Sequence, residues 1–348
     1  MTDIDNLAHK FGELIKDAQK ILITSHISPD PDAVCSLLLL GTTLKSNFPY
    51  KEIKMSLEEP PNNLDYLTGF SDIGIQPTME AIASFEPALF VLLDGVNFDR
   101  ASRNDGPAIR DWLVAHPDTK TAIIDHHETI DKDDVDVFLN QDSPATCQDV
   151  YELCFRTLDL KKPDAYAQTA LLGIYSDTGG LVYLKDPYDK TLSIVSELLS
   201  AGGNLEEIRY KLNSYTEDQM KVFAELANNC SHESTFTYSY LTDDFVKNWQ
   251  NSGKSPVEMH RGTKIFVDDF IRNIDGRKWG FIAYLDPLEG EHMYSVSLRS
   301  ADGVVDVAAI ARKFNGGGHK PAAGGRIEAE NISQAIDKIK TAIKEESA

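Results

Sequence analysis

Four short segments place Asp or His where side chains could act on a common target. They are His26, Asp30 and Asp32 in SHISPDPDA, Asp94 in LLDG, Asp125-His126-His127 after TAII, and Asp177 in GIYSDTGG. Each has an ordinary reading. Asp30 or Asp32 ahead of the run AVCSLLLL would cap a helix. Asp94 before Gly95 and Asp177 before Gly179-Gly180 would sit in turns, and adjacent histidines on a surface need do nothing. Their joint placement is less ordinary, because three of the segments follow a short apolar run. In a parallel α/β sheet, residues after separate strands converge on the carboxyl edge. Three or four carboxylates crowded there would repel each other strongly unless cations lie among them. Mixed carboxylate and imidazole ligation suits Mn²⁺ best, with Mg²⁺, Fe or Zn²⁺ also compatible. The set is large enough for two ions about 3.5–4 Å apart, as in two-metal phosphoesterases.

The elements that must position these groups follow from the apolar pattern. The spacing predicts strands at KILITS (20–25), EIKMSL (52–57), ALFVLLD (88–94), TAIID (121–125) and VDVFLN (135–140), with helical stretches such as AVCSLLLLGTTL and ATCQDVYELCFRTL between and after them. Nearly continuous apolar strands alternating with helices imply an α/β domain with a parallel, doubly wound sheet over residues 1–188. Residues 189–230 read as a helical linker, with Gly202-Gly203 as punctuation and TEDQMKVFAELANN capped at Thr216. Residues 231–348 read as a smaller α+β domain with a mixed sheet. Its strands are TFTYSYLT, WGFIAYLD and MYSVSLRS, its helices KIFVDDFIRNI, VVDVAAIARKF and ISQAIDKIKTAIKEE, with a Gly-rich loop, NGGGHKPAAGG.

At 348 residues the chain has room for two cores, and 42% hydrophobic with 26% charged residues is ordinary for a globular protein. The start, MTDIDNLAHKFGELIKDAQK, reads as a charged amphipathic helix rather than a signal peptide. Runs such as SLLLL and ALFVLL are too short to cross a bilayer. The expectation is a soluble, cytoplasmic protein with no membrane partner. Cys35, Cys147, Cys154 and Cys230 show no C-x-x-C spacing, and reduced thiols fit that compartment. A net charge of −21 would repel long nucleic acid over most of the surface. An anionic substrate must then be drawn in locally, by metal ions or a few cationic side chains, which favours small substrates.

Taken in order, SHISPDPDA, LLDG, DHH and SDTGG resemble the four motifs of the DHH phosphoesterase superfamily, and GGGHKPAAGG resembles the motif of the DHHA1 domain that follows in one branch of it. The resemblance runs across nearly the whole chain. In length the chain is most similar to the stand-alone nanoRNases, pAp phosphatases and phosphodiesterases acting on cyclic di-AMP or linear pApA. The resemblance implies a hydrolase acting on phosphate ester bonds of short nucleotides, as phosphodiesterase, 3′–5′ oligoribonuclease or phosphatase, with two Mn²⁺ or other divalent ions. By position, His26 and Asp30 would hold the first metal, Asp32, His126 and Asp177 the second, and Asp94 would bridge both. His127 would face the substrate phosphate, and a hydroxide between the ions would attack phosphorus in line with the leaving oxygen. The family usually has Gly where Pro31 and Cys35 stand here; Pro31 suits a helix start. In the second domain, Gly316, Gly317 and Gly318 would offer backbone N–H groups, and His319 and Arg299 charge-assisted hydrogen bonds, to the far part of the substrate. The plainer reading of these glycines is a flexible loop followed by a turn.

Three other readings stand beside this one. A pyrophosphatase or exopolyphosphatase shares the DHH motifs but resembles a different, Lys/Arg-rich second domain. A RecJ-like exonuclease on single strands would want a basic channel. A nucleotide-binding sensor without catalysis would not need a full ligand set. The choice among oligoribonucleotide, pAp, pApA and cyclic di-AMP, the polarity of cleavage, the physiological metal and the oligomeric state, with a homodimer among the options, stay open at this level.

Overall fold

Six strands pair in parallel in the first part of the chain: β1 (Lys20–Ser25), β2 (Glu52–Leu57), β3 (Ile73–Ile75), β4 (Leu89–Leu93), β5 (Lys120–Ile124) and β6 (Val137–Leu139), in the order β3-β2-β1-β4-β5-β6. The computed structural model describes residues 3–346 apart from 62, 128–131, 291 and 302–303. Helices cover both faces of the sheet, so β4 is buried along its whole length, which is why its sequence is an unbroken apolar run rather than an alternation. The winding reverses between β1 and β4. At such a switch point the connections leave in opposite directions and open a crevice at the carboxyl ends. Register makes those ends level: Ser25 pairs with Leu93, and Leu93 with Ile124. The next residues along the three strands are His26, Asp94 and Asp125.

The helix Pro31–Asn47 carries Asp30 as its N-cap and Pro31 in its first turn. Leu37, Leu38, Leu39 and Leu40 on it are almost completely buried, each contributing roughly 1.5–3 kcal/mol, so the turn that bears Asp30 and Asp32 is firmly anchored. The helix Tyr166–Asp177 packs closely against it. A Cβ at Gly173 would lie 2.6 Å from Cys147 Cβ and 3.0 Å from Asp32 Oδ1. Only glycine allows that approach, and it is the approach that brings Asp177 to the strand ends.

The chain divides into two compact units, Met1–Asn213 and Ser214–Ala348. The stretch expected as a helical linker is shared between them. Helices Tyr188–Ser200 and Leu205–Leu212 bury Ile194, Val195, Leu198 and Ile208 in the first core. The helix Glu217–Asn228, closed by a capping box between Thr216 and Gln219, buries Val222, Phe223 and Leu226 in the second. An amphipathic pattern names the apolar face of a helix but not the core that receives it.

In the second unit β7 (Ser231–His232), β8 (Thr237–Tyr240), β9 (Trp279–Leu285), β10 (Met293–Ser300), β11 (Gly317–His319) and β12 (Ala322–Glu328) form a sheet in the order β11-β12-β10-β9-β8-β7. Only β8–β9 is parallel, so the sheet is mixed. The Gly-rich stretch, expected as a loop, is a hairpin in which Gly317–His319 pairs with Ala322–Gly324. Glycines do not favour strands by propensity, but here they let two backbones meet more closely than any side chain would permit. Among the described residues no helix is long and apolar enough to cross a membrane.

Candidate metal centre

The level ends of β1, β4 and β5 bring the predicted ligands of the first unit together. Three overlapping groups, His26-Asp30-Asp94, Asp32-His126-Asp177 and Asp94-His126-His127, each hold their potential ligand atoms within 4.8 Å of one another. Asp94 stands in the middle. Its Oδ2 lies 3.4 Å from His26 Nε2 and its Oδ1 3.6 Å from His126 Nε2. His126 Nε2 is also 3.1 Å from Asp177 Oδ2, and His26 Nε2 is 3.9 Å from Asp30 Oδ2. Asp94 adopts a left-handed backbone, φ 58°, a conformation that Asp and Asn tolerate better than most residues.

Asp30 serves two ends at once: Oδ1 accepts from Ala33 N–H at 3.0 Å, as a helix cap does, while Oδ2 faces His26. Asp32 is fully buried and accepts from the backbone N–H groups of Thr146 and Cys147 at 2.7 and 3.0 Å. It thereby caps a helix, Thr146–Glu152, that begins more than a hundred residues later. Thr146, which the sequence did not single out, also donates its hydroxyl to Asp94 Oδ1 at 2.8 Å. Asp125, read only as part of a triplet, is buried and bonds His127 Nδ1 at 2.8 Å, while Asn140 holds the His127 carbonyl. His127 therefore keeps Nε2 available on a ring whose side chain is 53% exposed.

Charge is unbalanced in this space. Burial, with the neighbouring carboxylates of Asp94, Asp177 and Asp30, pushes Asp32 well above the usual carboxyl range. Burial works against a charged His26, yet Asp30, Asp94 and the Ile27 carbonyl together outweigh it and raise its pKa to about 10. His126 is raised too, against burial, by Asp177, Asp94 and Asp125, and His127 chiefly by its bond to Asp125. Asp30 moves down: burial opposes this, but His26 and the Ala33 N–H prevail.

The donor set fits divalent ions on a further ground. Asp94 Oδ2 and His126 Nε2 are buried and make no hydrogen bond, although opposite groups stand 3.1–3.6 Å away. Partners at such distances would align if they bonded each other. Atoms that converge without aligning suit ligands gathered around a common cation.

In the second unit, Arg299, one residue before the end of β10, donates Nε to Asp268 and Nη1 to the Leu298 carbonyl. Gly317, Gly318 and His319 are exposed on the hairpin, and Gly316 is half-buried. A Cβ at Gly316 would lie 2.1 Å from the Gly324 carbonyl oxygen, whereas one at Gly317 would meet nothing within 4 Å. The close backbone approach is thus a demand of the hairpin at Gly316, and an open surface at Gly317. Beside them lies a cavity of about 320 Å³ lined by His260, Tyr284, Ser295, Asn315 and Arg326 among others.

Known proteins carry the same two parts. The N-terminal domain of the DHH family matches residues 20–174, and the DHHA1 domain residues 260–345. The chain is 26% identical over 320 residues to the bifunctional oligoribonuclease and PAP phosphatase NrnA of Mycoplasma pneumoniae, covering 91% of this chain and 90% of that one. To the protein of the same name from Bacillus subtilis it is 24% identical over 327 residues, covering 92% and 94%. Among solved structures, an exopolyphosphatase-related protein from Bacteroides fragilis superposes with a TM-score of 0.74 at 22% identity, covering 99% and 98%; that likeness is one of fold.

Proposed function

The chain belongs to the DHH family and carries a DHHA1 domain after it, and from that premise we propose that it is a divalent-metal-dependent phosphoesterase hydrolysing short nucleotides, namely oligoribonucleotides, pApA, pAp or cyclic di-AMP. The observation that carries this reading is the gathering of His26, Asp30, Asp32, His126 and Asp177 around Asp94. Relatives named oligoribonuclease and PAP phosphatase, similar over nine-tenths of their length, support the substrate class. So does the net charge of −21, which disfavours long polyanions.

His26 and Asp30 would hold one ion, Asp32, His126 and Asp177 a second, and Asp94, whose two oxygens face different histidines, would bridge them. Manganese is the ion that best suits this oxygen and nitrogen set. When bound, such ions polarise phosphoryl oxygens and acidify a water. The chain's own groups do the positioning. Ile27 O holds His26 Nδ1 at 2.7 Å, and the Thr146 hydroxyl fixes Asp94 Oδ1. Asp125 takes the Nδ1 side of His127, so Nε2 is the atom that can donate to a phosphoryl oxygen or deliver a proton to the leaving group. Burial of Asp32 and Asp94 keeps bulk water from the carboxylates. In the second unit, Arg299, Gly316, Gly317, Gly318 and His319 are the proposed substrate-binding groups. A cytoplasmic location belongs to the same reading, supported by free, buried thiols at Cys35, Cys147 and Cys154.

A hydrolysis panel of oligoribonucleotides, pAp, pApA, cyclic di-AMP and pyrophosphate, with Mn²⁺ and with EDTA, tests the proposal. The expected result is cleavage of at least one nucleotide with Mn²⁺, none with EDTA, and intact pyrophosphate. Turnover of pyrophosphate alone, or of nothing by protein with full metal content, would overturn it.

A further inference from the structure

The short helix Phe98–Ala101 lies in the connection that leaves β4 after Asp94. Phe98 and Ala101 are its buried residues, so Asp99 and Arg100 are left on the exposed side. Arg100 is rooted against the residues that directly follow two of the gathered ligands. Its carbonyl accepts the N–H of Ile27, next to His26, at 2.7 Å. Its Cβ faces Gly95, next to Asp94: a Cβ added at Gly95 would lie 3.3 Å from it. The long side chain therefore starts at the edge of the crevice that His26 and Asp94 line.

Charge sets this arginine apart from the cations on neighbouring stretches. Arg103 is paired with Glu59, Arg110 with Asp99 and Asp133, and Lys185 with Asp142. Among the described residues the Arg100 guanidinium makes no ion pair and no hydrogen bond. An exposed arginine is ordinarily a solvated surface charge. In a chain of net charge −21, an unpaired one fixed at the rim of a carboxylate cluster is placed to draw in an anion. The strand order adds a direction. In the order β1-β4-β5, the bond to Ile27 puts Arg100 on the β1 side of Asp94, whereas His127 follows β5 on the other side.

We propose that Arg100 is a substrate-binding residue whose guanidinium holds a phosphoryl oxygen of the nucleotide at the metal centre, from the flank opposite His127. This rests on the reading of the cluster as a phosphoesterase centre. Arginine suits the task because its planar fork donates two parallel N–H···O bonds to a phosphate and stays charged at every working pH. The phosphate is anionic before and during the reaction, so the contact serves binding more than the chemical step.

The test uses the full chain loaded with Mn²⁺. Equilibrium dialysis with radiolabelled inorganic phosphate measures binding without turnover, and steady-state assays on pAp and pApA measure KM and kcat. Arg100→Ala is expected to bind phosphate about 10- to 100-fold more weakly, as for one lost charge-assisted contact. KM should rise by a similar factor while kcat, Mn²⁺ affinity and Tm stay close to wild type. Arg100→Lys should recover part of the loss, having the charge without the fork. Phosphate binding and KM unchanged in Arg100→Ala would overturn the proposal. So would a loss of Mn²⁺ affinity that matches the loss of phosphate, since the arginine would then act by shaping the metal site. Wild-type protein that binds no phosphate overturns it as well. Should Arg100→Ala fail to fold, Arg100→Gln carries the same measurements. A wild type that cleaves no nucleotide, yet binds phosphate in a way that depends on Arg100, would sink the proposed function and leave this contact standing.

Discussion

In the first unit the candidate groups come from five stretches far apart in sequence, around residues 26–32, 94–100, 125–127, 146 and 177, and most are buried. In the second they lie on one strand-end arginine and one glycine-rich hairpin, and most are exposed. The first site is made of side chains whose charges conflict, held together by sheet register and helix packing. The second candidate is mostly backbone, shaped by the absence of side chains, with Arg299 and His319 as its charged or polar groups. The difference predicts opposite sensitivities: the first should respond to a change of charge at constant shape, the second to a change of shape at constant charge.

The sharpest test of the first half is Asp94→Asn. Asparagine accepts the left-handed backbone at this position, so the variant should fold normally while turnover with Mn²⁺ falls on the order of 10³-fold or more. Circular dichroism beside a steady-state assay reads both. Most of the turnover surviving at normal metal content would remove Asp94 from the centre. Next in size, Arg299→Ala should raise KM about 10- to 100-fold with kcat within a few-fold, as expected for a charge-assisted contact made equally in ground and transition states. A fall in kcat alone would instead move the arginine's role to the reacting atoms. For the shape half, Gly316→Ala forces a methyl to within 2.1 Å of the Gly324 carbonyl and should cost about 1–3 kcal/mol in denaturant unfolding. Gly317→Ala, which meets nothing within 4 Å, should be close to neutral. Equal effects at the two positions would break the comparison.

The smallest effect is on stability against pH. Folding raises the His26 pKa from 6.5 to about 10, so the folded chain holds that proton more tightly than the unfolded one. The stabilisation is complete below about pH 6.5 and is lost as pH climbs through about 10. The Tm of metal-free protein should therefore fall by a few degrees across that window, with His126 and His127 adding in the same direction. Mn²⁺ should flatten the trend, since ligands that have released their protons bind metal better. A flat curve in EDTA would mean that these histidines are not coupled to the carboxylates.

Much of this was legible in the sequence for a physical reason. An apolar run that ends in Asp or His marks a strand end, and a parallel sheet makes strand ends neighbours, so His26, Asp94 and His126 could be grouped without coordinates. The parallel doubly wound sheet and the mixed second sheet followed from the same patterning. Other features were hidden because their partners are distant. Thr146 reads as a commonplace helix start until its hydroxyl is seen on Asp94. Asp149 reads as the polar face of an amphipathic helix, whereas it is buried. The helix Thr146–Glu152 also widens into a π-helical turn, Leu153–Thr157, that no periodicity announces. The hairpin at Gly317–His319 was read as a loop because propensity scales weigh side chains, and here their lack decides.

Asp32 binds the N–H groups of Thr146 and Cys147 across 114 and 115 residues. A ribosome delivers His26, Asp94 and His126 before the helix that closes over them exists. A nascent chain paused short of residue 146 would keep its acidic side chains hydrated along an open edge, and only the arrival of the helices through Asp177 would enclose them. Competence for chemistry would then be acquired late in translation and in a single closure, not strand by strand.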